Sequence, residues 1–166
     1  MMSPMTRRGA LAAVAGLMSG SVAPSLAFAR PIRAVSQVHV DVSRLRARRG
    51  DPTARWVAEA MPSSVARALG RRFAPGAPGG ASLNVHIDDV HLLPMRTGSA
   101  PRIVDEITGS VTLAGPGVGA RRVSIRTTAV FRPAARDVAM RPQANRRRVE
   151  VLVARFAEQI PRDLGL

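Results

Sequence analysis

Four stretches of this chain alternate apolar and polar residues with a period of two, and two longer stretches repeat their apolar residues every three to four positions. The first pattern suits a strand with one dry face, the second an amphipathic helix. Their order along the chain is strand, helix, three strands, helix, which leaves few folds open.

In the first strand, over residues 34–45, Val35, Val38, Val40 and Val42 are the apolar positions, and His39, Asp41 and Ser43 face the other way. The basic segment 46–51 reads as a loop broken at Gly50. Asp51 is expected as the N-cap of a helix with Pro52 at its first position, where a missing N–H costs nothing. Val57, Met61, Val65, Leu69 and Phe73 make its apolar stripe, with Trp56 and Ala60 beside it, and Pro62 is expected to kink or split it near Met61. Residues 74–80 form a turn-rich connector.

The second strand sets Leu83, Val85 and Ile87 against Asn84, His86 and Asp88, and its phase is lost after Asp88. Residues 95–102 read as a mobile loop. From Asp105 a third strand turns Ile107, Gly109, Val111 and Leu113 inward and Glu106, Thr108, Ser110 and Thr112 outward. A glycine-rich hairpin leads into a fourth, with Val123, Ile125, Thr127, Ala129 and Phe131 on its core face. The run Gly115–Gly119 is no phosphate loop, because such loops need a helix N-terminus behind them and here a strand follows. Asn145 is expected to cap a last helix carrying the stripe Val149, Leu152, Val153, Phe156 and Ile160, closed by Pro161.

These elements predict an α+β fold: a two-layer sandwich with a four-stranded mixed sheet and two helices on one face, in the order β-α-β-β-β-α. The first crossover should be parallel and right-handed, and the last three strands an antiparallel meander.

The N-terminus carries charge, then a mild apolar stretch from Ala10 to Ala23, then the small-residue site Ala27-Phe28-Ala29, which is the pattern of a secretory signal peptide over residues 1–29. Thr6-Arg7-Arg8-Gly9-Ala10-Leu11 resembles the twin-arginine signal, with Ala10 where Phe is usual. The expectation is therefore an exported, periplasmic protein whose single domain spans residues 30–166. The apolar stretch is shorter than the roughly 20 residues a membrane span needs.

The chain has no Cys, and all 25 of its basic residues are Arg, against 11 acids, for a net charge of +14. Absent Lys and Cys exclude Schiff-base chemistry, a phosphate-loop lysine, a Ser-x-x-Lys acyl enzyme and a thiol nucleophile. No cofactor motif is present. Such a positive field attracts anions. Nucleic acid is a poor match, since Tyr is absent and Trp56, Phe73, Phe131 and Phe156 are the only aromatics after residue 29, too few to stack bases. An anionic envelope lipid, the phosphates of lipopolysaccharide or an acidic envelope protein complex suits an exported chain better.

Two sets of residues are candidates for function. Arg44, Arg46, Arg48, Arg49, Arg121, Arg122, Arg126, Arg146, Arg147 and Arg148 could hold an anion or partner. His39, Asp41, His86 and Asp88 share the polar face of neighbouring strands and could hold a metal, as a metal-binding protein or a metal-assisted hydrolase, or could simply be the wet side of the sheet. Asp105 and Glu106 offer acid–base chemistry only if a bulge turns them to one face, because adjacent strand residues point apart. The order of elements is similar to that of small periplasmic accessory proteins such as the lipopolysaccharide-assembly lipoprotein, over most of residues 30–166 and as architecture alone. That resemblance implies a non-enzymatic accessory role and assigns no residues. Those proteins are tethered by a lipidated cysteine, which this sequence lacks.

Overall fold

The computed structural model describes residues 34–93, 102–116, 118–132 and 141–166. The expected signal peptide and most of the loop expected at 95–102 lie outside them. Strands β1 (Val35–Asp41), β2 (Ala81–His91), β3 (Ile103–Gly115) and β4 (Val118–Phe131) pair in chain order. β1 and β2 run parallel and the remaining pairs antiparallel, so the sheet is mixed. Among the described residues three α-helices accompany it: α1 (Ser43–Arg49), α2 (Asp51–Leu69) and α3 (Arg141–Leu164).

The alternation builds the core as read. Leu83, Val85 and Ile87, with Ile107, Val111, Leu113, Ile125 and Ala129, meet Val57, Met61 and Val65 of α2 and Val149, Leu152, Val153, Phe156 and Ile160 of α3 in one buried cluster. Gly109 lies in the middle of it. A Cβ there would collide with the backbone oxygen of His86 and stand 3.2 Å from Cζ of Phe156, so the ring fills room that only a bare backbone leaves.

The segment 46–51, expected as a loop, is mostly helix. α1 buries only Leu45 among its arginines, too little to show as a stripe, and the N–H of Ser43 donates to Oδ1 of Asp41 at 2.8 Å. Gly50, at φ 80°, joins α1 to α2 and occupies the N-cap position expected for Asp51. Glycine takes that backbone conformation without steric cost. Asp51 is the first residue of α2, where its charge still complements the helix dipole.

Pro62 does not split α2. Its ring is exposed while Met61, Ser64 and Val65 on either side are buried, so the packed stripe carries the helix through one lost hydrogen bond. α3 likewise begins four residues before Asn145 and runs through Pro161. Leu164 is buried, and the helix ends at Gly165, φ 65°, with the N–H of Leu166 donating to the Pro161 carbonyl at 2.8 Å and that of Gly165 to Arg162 at 3.2 Å. That is a Schellman closure. In β2 the register slips between Ile87 and Asp89, which turns both Asp88 and Asp89 away from the core before Val90 re-enters it.

Candidate functional site

On the sheet face opposite the helices, Asp41, His86, Ser110 and Ser124 stand in one line across all four strands. His86 Nδ1 lies 3.1 Å from Asp41 Oδ2. The N–H and hydroxyl of Ser43, and then His86, hold the Asp41 carboxyl below the ordinary carboxylate range. Arg122 Nη2 donates to Ser110 Oγ at 3.1 Å, and Arg44 Nη1 to Asp88 Oδ1 at 3.1 Å. Asp41, Arg44, His86, Asp88, Ser110 and Arg122 line an open depression of about 310 Å³.

The structure thus brings Asp41, His86 and Asp88 to one depression but leaves His39 outside it, beside Gln37 at 3.4 Å. Among the described residues no three His, Asp or Glu side chains gather as a metal ion would require, because Asp41 turns to His86 and Asp88 to Arg44. Nor does the Asp–His–Ser line form a proton relay. Ser110 is 4% exposed, and its hydroxyl is held by Arg122, not by His86. Asp105 and Glu106 point apart: Asp105 is buried on the core side and Glu106 lies 3.6 Å from Arg126 on the other.

The candidate arginines divide sharply once their neighbours are seen. Arg49 grips Asp89 with Nε and Nη2 at 2.7 and 2.9 Å, Arg48 reaches the same carboxylate at 4.0 Å, and Arg46 meets Asp51 at 2.9 Å. Arg146 contacts Glu59 and Glu150. Arg148, grouped with the surface arginines by its place in the sequence, is buried. Its Nε donates to Asp105 Oδ2 at 2.7 Å and Nη2 to Asp105 Oδ1. Nη2 also reaches the Leu93 carbonyl at 2.7 Å and Nη1 Asn145 Oδ1 at 3.0 Å. No face of it is left for a ligand.

The Arg49 grip holds the Asp89 carboxyl below its ordinary value of 3.8 and raises that of Arg49. A carboxylate whose pKa is lower folded than unfolded stabilises above the unfolded value and loses that contribution as pH falls through the folded one. α1 is therefore expected to loosen below about pH 3.8, measured as faster amide exchange in Ser43–Arg49 while β3 stays protected. Equal acid sensitivity in both elements would contradict the assignment.

A second group of arginines lies elsewhere. Along the outer edge of the sheet, Arg126 of β4 and Arg155 and Arg162 of α3 line a groove of about 490 Å³ with Thr127, Thr128, Gln159 and a single acid, Glu158. Arg155 Nη1 donates to the Thr128 carbonyl at 3.3 Å, and Gln159 Oε1 accepts from Thr127 at 2.8 Å. Arg121 extends the strip at one end, donating to the Leu164 carbonyl at 3.1 Å, and Arg122 lies beside it. Among the described residues none of Arg121, Arg122, Arg147, Arg155 and Arg162 has an acidic partner. Arg155 and Arg162 were not singled out by the sequence reading. Their spacing of seven residues, two helical turns beside the apolar stripe, was the available signal.

No protein-family model matches the chain, and no curated protein does. Among solved structures it is similar to a minor lipoprotein from Acinetobacter baumannii (8% identity, covering 79% of this chain and 90% of that one, TM-score 0.47). A putative lipoprotein from Caulobacter crescentus (15%, 77% and 87%, TM-score 0.49) and the rare lipoprotein B from Shewanella oneidensis (15%, 78% and 94%, TM-score 0.43) are also similar. At these identities and scores the likeness bears on neither activity nor partner. Among the described residues no helix is long and apolar enough to cross a membrane.

Proposed function

We propose that this chain is an exported, non-enzymatic binding module of the cell envelope, led out by residues 1–29, which engages an anionic component in the periplasm through its β4–α3 edge. The observation that carries the reading is the separation of charge. The α1 arginines are met by Asp51, Asp88 and Asp89, whereas Arg126, Arg155 and Arg162 line a groove whose one acid is Glu158. Arg126 also lies 3.6 Å from Glu106, and Arg122, on the open sheet face of the same strand, has no acidic partner among the described residues. Lipid phosphate and the phosphates of lipopolysaccharide both have the chemistry this strip attracts, since guanidinium groups bind such oxygens with paired donors.

Full-length protein is expected to cosediment with vesicles of phosphatidylglycerol and phosphatidylcholine at 0.01 M salt and to dissociate at 1 M, where the screening length falls from about 30 Å to about 3 Å. Changing Arg122, Arg126, Arg155 and Arg162 together to Gln should abolish the low-salt binding, and changing Arg44, Arg46 and Arg48 to Gln should leave most of it. Undiminished binding by the first variant would overturn the reading.

A further inference from the structure

β4 ends the sheet, and its 14 residues include no proline. Its pairing to β3 is regular from Arg121 to Phe131. The Thr128 carbonyl, which accepts from Arg155, points away from β3. A strand residue turns its N–H and C=O to the same side, and the side alternates along the chain. Arg122, Ser124, Arg126, Thr128 and Val130 therefore present the outward groups of an edge that no described strand occupies. The opposite edge is guarded: β1 has 7 residues and an irregular register after Val35, and the N–H groups of Ala74 and Gly76 donate to the carbonyls of Val35 and Ser36.

We propose that β4 accepts one added β-strand from a partner protein, an extended segment with acidic residues at alternate positions. Backbone pairing would supply attachment and the flanking arginines selectivity, as in strand addition generally. Charge names the occupant. A strand laid along this edge places every second side chain into the groove before Arg155 and Arg162, where one acid faces three arginines, and like charges set there would repel. The proposal rests on the anionic reading above and narrows it to a protein ligand read through its backbone.

The test uses full-length protein and a short peptide alternating glutamate with valine and threonine, followed by fluorescence anisotropy and residue-resolved amide exchange. Binding should slow exchange at Ser124, Arg126 and Thr128. The same peptide N-methylated at alternate residues keeps its charge but cannot pair along that edge. It should bind about tenfold more weakly or worse, because two or three hydrogen bonds are lost. Ser124→Pro removes one outward N–H without touching the β3 ladder. It should weaken the peptide and leave vesicle binding unchanged. Equal affinity for the methylated peptide, or vesicle binding with no peptide binding, would overturn strand addition while the anionic reading stands. Failure of both ligands would overturn the two together.

Discussion

Replacing Arg148 with alanine is expected to lower the stability of this protein by about 3–5 kcal/mol, because the change strands the Asp105 carboxylate where water does not reach it. Both side chains are 1% exposed. The guanidinium also closes the end of β2 by binding the Leu93 carbonyl, whose own N–H donates to Asp105 Oδ1 at 3.1 Å, and it lies 5.4 Å from the centre of the Phe131 ring. One residue of α3 thus ties together the exit of β2, the start of β3 and the end of β4. Asp105→Ala should cost a similar amount by leaving the cation unpaired. The double change Arg148→Met with Asp105→Leu should recover most of the loss, since apolar replacement of a buried pair removes the desolvation cost of both ions. Urea denaturation of the four proteins measures this. Additive losses, or a single-site loss under about 1 kcal/mol, would contradict it.

Phe156→Ala should be equally damaging, at about 3–5 kcal/mol, from lost burial and the cavity left behind. The ring is fully buried against β3, and the open space beside Gly109 exists to take it. Gly109→Ala provides the complementary probe. Its methyl meets a backbone oxygen of β2, which cannot move without breaking the sheet register, so the substitution is expected to destabilise whether Phe156 is present or not. Thermal and urea unfolding of the two single variants and their combination measure both effects. A Gly109→Ala loss that disappears in the Phe156→Ala background would show that the ring, and not the β2 backbone, demands the glycine.

Much of the architecture was legible because alternation in β2, β3 and β4 and the stripes of α2 and α3 are one-dimensional records of which side is dry. Pro62 and Pro161 misled because intrinsic propensity is weaker than the packing of the stripes around them. α1 was illegible for the opposite reason: with Leu45 alone buried, a helix of arginines leaves no periodic signal, and its docking rests on Asp88 and Asp89, brought together by a bulge no pattern announces. The arginines show the same limit more sharply. Sequence counts Arg148 and Arg147 alike, yet Asp105 lies 43 residues from Arg148 and becomes its partner only in the fold. The basic groove was hidden too, being made from Arg126 on a strand and Arg155 and Arg162 on a helix that meet only at the sheet edge.

Where anions settle on this protein is read residue by residue from backbone amide shifts, followed while phosphatidylglycerol nanodiscs are titrated into the labelled protein. Shifts concentrated at Arg122, Arg126, Arg155, Gln159 and Arg162, collapsing as salt is raised, are the predicted result. Shifts centred on Ser43–Arg49 or on the Asp41–His86 line, with the β4–α3 edge unmoved, would contradict it.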